Sequence, residues 1–414
     1  MLKKIVYSRK LVYCATGLFG FIALARLVKV LIKDRNFIDF LAYYDVSKTV
    51  RTGLNPYILE NLSHQWGEPP MVFPGYSALF YPFTFLSSDA AGYVFLLLNA
   101  VIAVGLFYLL FKKKGLMNKG KTGLLDSGFL LSLFVFMSST PYFASINHGQ
   151  STIFVSFFLI SLLLIRPFYL KVIFFAAAAV LKYSMLPLFG PVLFLKKRHK
   201  LCICSFVLFL VFGAVPMVFG HNLIELYSSY VDNIFYWVNI YGFNSYEGGG
   251  YNMLQLDFIA VKWLQISAKT LCGAIFIYSL YLSRKDKDIS MHLIFLTACL
   301  TMLISYHRLY DLVFILPFAL YLINIYLRKQ EFFKAAVTAG FVGFFIVPES
   351  IIYRAAEFLG SFVKGNSIVY LTSFNGAQQY QHMFPVYPIV CIFLSIWAFY
   401  LFVARDKNSQ NSVE

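Results

Sequence analysis

Apolar stretches long enough to cross a lipid bilayer follow one another along almost the whole chain, and short runs of cations punctuate them. A helix needs about 20 apolar residues to cross the hydrocarbon core. Such stretches lie near 11–31, 91–111, 123–142, 150–166, 201–219, 264–283, 289–305, 310–327, 334–350 and 384–404. Cations gather at Lys112, Lys113, Lys114, Lys119 and Lys121, at Lys196, Lys197, Arg198 and Lys200, at Arg284, Lys285 and Lys287, and at Arg328 and Lys329. Short basic loops between apolar spans mark the cytoplasmic side of a membrane protein. The formal charge of +16 therefore reports topology. No basic, aromatic-interleaved soluble module accompanies it, which excludes a nucleic-acid partner.

Composition agrees. Only 13% of the 414 residues are charged and 59% are hydrophobic, about half the charged fraction of soluble domains. Mean hydropathy is +0.70. The expected fold class is an all-α polytopic membrane protein forming one domain over residues 1–414, with no soluble domain of globular size and no internal repeat. Lys3, Lys4, Arg9 and Lys10 precede an apolar run ending Ala23-Leu24-Ala25, the outline of a signal peptide; in a polytopic chain a retained anchor is expected. Six cysteines (Cys14, Cys202, Cys204, Cys272, Cys299, Cys391) lie in or beside apolar segments without zinc or CxxC spacing, so no disulfide framework or metal site is expected.

Residues 171–195 break the pattern. Arg166 and Lys171 stand at one end of this apolar segment and the 196–200 cluster at the other. If both ends are cytoplasmic, the segment must enter the membrane and return, with about 12 residues per limb. The break is expected at Lys182-Tyr183-Ser184, before Pro187. Irregular backbone at depth is tolerated where protein buries it or where it lines a wet cavity, which puts Lys182 in or near such a cavity. A lone lysine near a helix end also reads as one that snorkels to the interface. Counting this broken hairpin as two, the chain makes about 12 crossings. Both termini are then cytoplasmic, and 32–90, 143–149, 220–263, 306–309 and 351–383 are external.

The external segments carry the candidate chemistry. In 36–57, Phe40, Tyr43, Tyr44, Ser47 and Val50 recur at helical spacing and share a stripe, with Lys48 and Arg51 pointing elsewhere. Gly53 suits the position just past the helix end, and Pro56 blocks continuation. Asp39 and Tyr43, four apart, share a face. Asp39 also reads as the third residue of a capping pair with Asn36. Asp34 and Asp45 neighbour cations and are expected to be solvated. Residues 70–82, with three prolines among aromatics, read as a rigid re-entrant or interfacial element, or as an aromatic belt. Asn147-His148-Gly149-Gln150 joins two spans as a tight turn, and Gln150 could bind sugar hydroxyls from there. In Tyr306-His307-Arg308-Leu309-Tyr310-Asp311, His and Arg together suit a phosphate; interfacial anchoring with a local Arg308–Asp311 pair is the other reading. The 247–252 glycine run reads as a loop tip and His382 as interfacial.

Several landmarks in order resemble glycosyltransferase family 87. They are D-F-x-x-Y-Y followed by G-L-N-P-Y over 39–57, the aromatic-proline stretch 73–82, G-Q at 149–150, A-A-A-x-L-K-x-x-x-x-P at 177–187, and S-Y-H-R with a following Leu-Pro over 305–317. The resemblance implies a GT-C fold with an external-facing site and interfacial helices in the first external loop. It implies a polyprenyl-phosphate hexose donor, often mannose, with no cofactor, nucleotide sugar or metal. Asp39 matches the family's catalytic acid residue and Lys182 the lysine of its K-x-x-P-type element. His307 matches one histidine of a His-His pair whose second member is Arg308 here, a departure that bears on the donor. Lys182, His307 and Arg308 are thus the candidate donor-phosphate ligands. Tyr43, Asn55, Tyr57, Asn147 and Gln150 are the candidate substrate-binding residues. The expected partners are the polyprenyl-phosphate sugar, a lipid or glycan acceptor and membrane lipids, at the cell membrane.

The residues fit that chemistry on their own. Transfer from a lipid phosphate needs a base for the acceptor hydroxyl and cations for the departing phosphate. Two close carboxylates, as a hydrolase would need, are not evident. A lipid-linked glycan polymerase or ligase would use similar cations. A lipid or small-molecule transporter would want ionisable groups at the midplane in repeat-related positions; here they crowd one face.

The topology is testable by cysteine-accessibility labelling. Residues 112–121, 196–200 and 284–287 should be protected from outside reagents, and 32–90 labelled. Labelling of 196–200 from outside would remove the hairpin.

Overall fold

The structure is a computed structural model. It describes residues 9–32, 37–64, 69–113, 116, 127–195, 198–241, 254, 256, 259, 261–284, 286, 289–305, 307, 309–363, 373–375, 379–381 and 386–410. Asp34, Asn36, Arg308, His382, the 247–252 loop and the cations Lys114, Lys119, Lys121, Lys196, Lys197, Lys285 and Lys287 lie outside these residues.

Helices dominate. In chain order they are α1 (Arg9–Ile32), α2 (Ile38–Arg51), the short α3 (Tyr76–Phe80), α4 (Ser88–Lys113), α5 (Ser127–Met137), α6 (Thr140–His148), α7 (Thr152–Leu164), α8 (Phe168–Leu181), α9 (Leu186–Leu195), α10 (His199–Ala214), α11 (Leu223–Tyr241), α12 (Lys262–Ser283), α13 (Met291–Ile304), α14 (Leu316–Arg328), α15 (Phe332–Phe344), α16 (Glu349–Val363) and α17 (Val386–Gln410). The strands described are a short antiparallel ribbon, β1 (Ser373–Asn375) with β2 (Gln379–Gln381).

Among the described residues six helical segments are long and apolar enough to cross a membrane: Lys10–Ile32, Ser88–Lys112, His199–Phe219, Lys262–Ser283, Leu309–Arg328 and Val386–Arg405. The expected span 123–142 is instead a pair, α5 and α6, bent by 58°. The spans expected at 150–166, 289–305 and 334–350 are the shorter α7, α13 and α15. A 14-residue helix such as α13 is only about 21 Å long, too short to cross alone. Most of α13 is buried inside the bundle, packed against α17, α12 and α14. The protein is a polytopic all-helical membrane protein with its core around α13 and α14.

α2 forms as its stripe dictates: Phe40, Tyr43, Tyr44, Ser47 and Val50 are all buried. It ends where the glycine stands. Gly53 has φ +77°, its N–H bonds Val50 O at 3.0 Å and the Leu54 N–H bonds Thr49 O at 3.2 Å. These are the two bonds of a Schellman end. Its start departs from the Asn36–Asp39 capping pair. The N-cap is Phe37, at φ 24° and without a side-chain cap bond, so Asp39 is the second helical residue. The Phe37 N–H bonds Asn147 O at 3.0 Å, which pins this strained start to the end of α6. Asp45 is not solvated as its neighbours imply. It is fully buried, and its carboxylate accepts the His64 backbone N–H at 3.1 Å and contacts His64 Nδ1 at 2.8 Å. Two bonds from a loop 19 residues away replace water.

α2 lies directly on the turn after α6. Gly149 caps α6 at φ +71°, and a Cβ there would stand 2.5 Å from Phe40 Cβ. Gly149→Ala combines a left-handed backbone with a steric clash. It should cost at least about 1–3 kcal/mol, read as a fall in the thermal unfolding midpoint of the purified protein. A midpoint equal to wild type would mean that α2 is not held against this turn.

Candidate active site

The hairpin breaks where expected. α8 ends at Leu181, and Lys182 leaves the helix at φ −159°, ψ 78° while its N–H still bonds Ala178 O at 2.9 Å. A 3-10 turn, Tyr183–Met185, leads into α9, which has Pro187 in its first turn and Pro191 within it. Ala176 to Ala179 are buried, and side chains this small let α8 pack closely on α7.

Lys182 meets a carboxylate that comes from 129 residues away. Its ammonium pairs with Asp311 Oδ1, approaches Thr152 Oγ1 at 3.3 Å, and sits 5.4 Å from the centre of the Tyr310 ring. Asp311 is buried in the 3-10 turn Leu309–Phe314. It also accepts the Thr152 hydroxyl at 2.8 Å and faces His307 Nδ1 at 3.0 Å. His307 is fully buried, and its Nε2 lies 2.9 Å from Ser305 Oγ. Burial lowers the His307 pKa against the pull of Asp311. The ring is then neutral, with its proton assigned to Nδ1, toward the carboxylate. Lys182 keeps 16% of its side chain accessible against 2% for Asp311, so the lysine is the member of this cluster that can meet a ligand.

A second polar group lies alongside. The Tyr43 hydroxyl donates to Gln150 Oε1 at 3.1 Å, and its ring stacks on Tyr76 with centroids 4.7 Å apart. The Tyr76 hydroxyl bonds the carbonyl of Leu181, the residue before Lys182, and lies 3.5 Å from Ser151 Oγ. Burial first, then the nearby Tyr76, Asp39 and Tyr310, hold the Tyr43 hydroxyl well above the ordinary phenol range. Burial likewise raises Tyr76, with Asp39 adding to it against the hydrogen bonds from Ser151 and Tyr43. Both phenols are therefore donors at neutral pH, and the Asp39 charge is close enough to act on both.

Three consecutive residues join the two groups. Gln150 takes Tyr43, Ser151 approaches Tyr76, and Thr152 bonds Asp311 and Lys182. The chain thus brings Lys182 and His307 together on one carboxylate and sets Tyr43, Gln150 and Asp39 beside them. Asn147 gives its carbonyl to Phe37, while its side-chain oxygen is buried without a hydrogen-bond partner. Asn55 and Tyr57 use their polar groups within the protein: Asn55 Nδ2 donates to Ser229 Oγ at 2.9 Å, Asn55 Oδ1 accepts the Tyr57 N–H at 3.0 Å, and the Tyr57 hydroxyl donates to Val72 O at 2.6 Å. Arg308 is outside the described residues. Asp311, Thr152, Tyr76 and Tyr310 were not singled out from the sequence. Only Asp311 carried a local signal, its four-residue spacing from His307, and that spacing competed with the adjacent Arg308. Among the described residues no three His, Cys, Asp or Glu side chains converge as metal ligands.

The model of glycosyltransferase family 87 matches residues 74–306, more than half of the chain. The chain belongs to glycosyltransferase family 87. It is accordingly a membrane glycosyltransferase. No curated protein and no solved structure matches it. The matched segment contains Tyr76, Asn147, Gln150, Ser151, Thr152 and Lys182; Asp39 precedes it, and His307 and Asp311 follow just after it.

The Tyr43–Gln150 bond ties α2 to the start of α7. Tyr43→Phe strands a buried amide oxygen and should cost about 1–3 kcal/mol. Adding Gln150→Leu should cost less than the sum of the two single changes, as measured by thermal unfolding. Strict additivity would mean that the bond does not form.

Proposed function

We propose that this glycosyltransferase moves a hexose, mannose in the first instance, from a polyprenyl phosphate to a lipid or glycan acceptor at the extracytoplasmic face of the cell membrane, on a GT-C-type scaffold. The acceptor oxygen attacks the anomeric carbon from the side opposite the phosphate. The carbon–oxygen bond to the phosphate breaks, its electron pair leaves with the phosphate, and the sugar's configuration inverts. Asp39 takes the acceptor proton. Lys182, with Arg308 beside it in sequence terms at the 306–311 turn, offsets the charge that grows on the departing phosphate. At an effective dielectric near 20, a cation–phosphate contact at about 4 Å is worth roughly 4 kcal/mol before desolvation. His307 acts at one remove, because both its ring nitrogens are engaged inside the protein. The sugar itself is the donor's, and the reaction needs no nucleotide or metal. Both termini and the basic loops lie on the cytoplasmic side.

The observation that carries this reading is the position of Lys182. A partly accessible ammonium stands at the break of a membrane hairpin. The carbonyl just before it is bonded by Tyr76, a phenol that also senses the Asp39 charge. A base and a cation on opposite sides of one small aromatic group are what an in-line displacement between an acceptor hydroxyl and a lipid phosphate requires. Gln150 and the unpartnered oxygen of Asn147 are the polar groups nearest this arrangement that suit sugar hydroxyls.

Asp39→Asn keeps the side chain's shape but cannot accept a proton. It should insert, fold and bind donor lipid as wild type does, and lose about 10²–10⁴-fold in transfer rate. The check is steady-state transfer with purified protein. Near-normal transfer by this variant would remove Asp39 from the chemistry and leave it a first-turn carboxylate that favours the helix dipole.

A further inference from the structure

We propose that Asp311 is a positioning residue: it parks the Lys182 ammonium between turnovers and yields it to the departing phosphate. The inference rests on the reading of Lys182 given above. No sequence motif singles out Asp311 for this role. Geometry does. A phosphate-binding lysine of a membrane enzyme cannot wait unpaired in a poorly hydrated site, because an isolated buried charge costs several kcal/mol. Asp311 supplies the resting partner.

Asp311 is also built to be left. Its carboxylate takes three donors, of which Lys182 is one. When the ammonium turns to a phosphate, the Thr152 hydroxyl still bonds Oδ1 at 2.8 Å and His307 Nδ1 still faces Oδ2 at 3.0 Å. The burial is asymmetric in the same sense: Asp311 is enclosed and Lys182 is not. Tyr310, with its ring 5.4 Å from the ammonium, keeps the cation in favourable contact as it moves. No proton is transferred to or from Asp311 in this step; one ion pair replaces another. The consequence is specific: Asp311 competes with the phosphate for the same cation, so removing its charge should tighten phosphate binding.

The probe is farnesyl monophosphate, titrated into the full-length protein in lipid nanodiscs, with farnesol as the uncharged control. Asp311→Asn should fold. Asn Oδ1 can accept from Thr152 and Lys182. Its amide can donate to His307 Nδ1, with the ring proton then on Nε2 toward Ser305 Oγ, whose hydroxyl lies 3.0 Å from Thr301 O. This variant should bind farnesyl monophosphate about fivefold or more tightly, with farnesol unchanged. Lys182→Gln, which keeps a donor toward Asp311, should bind it at least about tenfold more weakly. Weaker binding by Lys182→Gln together with unchanged or weaker binding by Asp311→Asn would overturn the parking role and leave the Lys182 reading intact. Unchanged binding by Lys182→Gln would overturn both. If Asp311→Asn does not fold, Thr152→Val carries the test. Losing the hydroxyl leaves Asp311 more dependent on Lys182, so binding should weaken, and the loss should vanish in the Lys182→Gln background. A loss that persists in that background, or no loss, would overturn the proposal.

Discussion

An ammonium group at the break of a short membrane hairpin has to be met by a counter-charge, and the rest of this structure is arranged around that need. Lys182 leaves α8 where the helix ends, and Asp311 pairs with it from a turn 129 residues further on. Each charge alone would be costly to bury; together, with Thr152 and His307 filling the remaining positions on the carboxylate, they are satisfied. The pairing requires the end of α8, the start of α7 and the turn before α14 to meet at one point. The buried alanines of α8 allow that approach on one side. The near-complete burial of the 309–314 turn secures it on the other.

From that point the order of three residues sets the geometry of the site. Gln150, Ser151 and Thr152 follow the Gly149 turn, and each reaches a different partner: Tyr43 of α2, Tyr76 of α3, and the Lys182–Asp311 pair. Gly149 is what allows α2 to lie so close, since any side chain there would strike Phe40. The carboxylate of Asp39 and the ammonium of Lys182 therefore belong to different elements, one on a helix outside the long spans and one at a hairpin break. A transferase whose acceptor and lipid-bound donor arrive separately has use for that division. The stacked phenols between them stay protonated at neutral pH and screen neither charge with one of their own.

The parts of this fold that local physics governs can be read from the residues alone. The buried stripe of α2 follows from three- and four-residue spacing, its end from Gly53, and the break of the hairpin from Pro187 and the basic residues that flank it. The expected spans coincide with helices, though α7, α13 and α15 are shorter than a bilayer requires, because neighbouring helices bury them. Long-range pairing cannot be read this way. Asp45 looks solvated beside Lys48, yet it is buried because His64 returns to it. Asp311 looks like a partner of the adjacent Arg308, yet it pairs with Lys182, and nothing within several residues of either announces the other. The start of α2 differs for the same reason: a distant carbonyl, that of Asn147, fixes Phe37 as the N-cap.

The central claim is that a sugar leaves a lipid phosphate at this site, and it can be tested without knowing the acceptor in advance. Purified protein is incubated with polyprenyl-phosphate mannose carrying a labelled sugar, together with native lipid extract, and both label and released polyprenyl monophosphate are followed. The account predicts that the label moves from the polyprenyl carrier to an acceptor with inverted anomeric configuration, one polyprenyl monophosphate appearing for each sugar transferred. Label that stays on the carrier while the same protein transfers sugar from a nucleotide donor would contradict it.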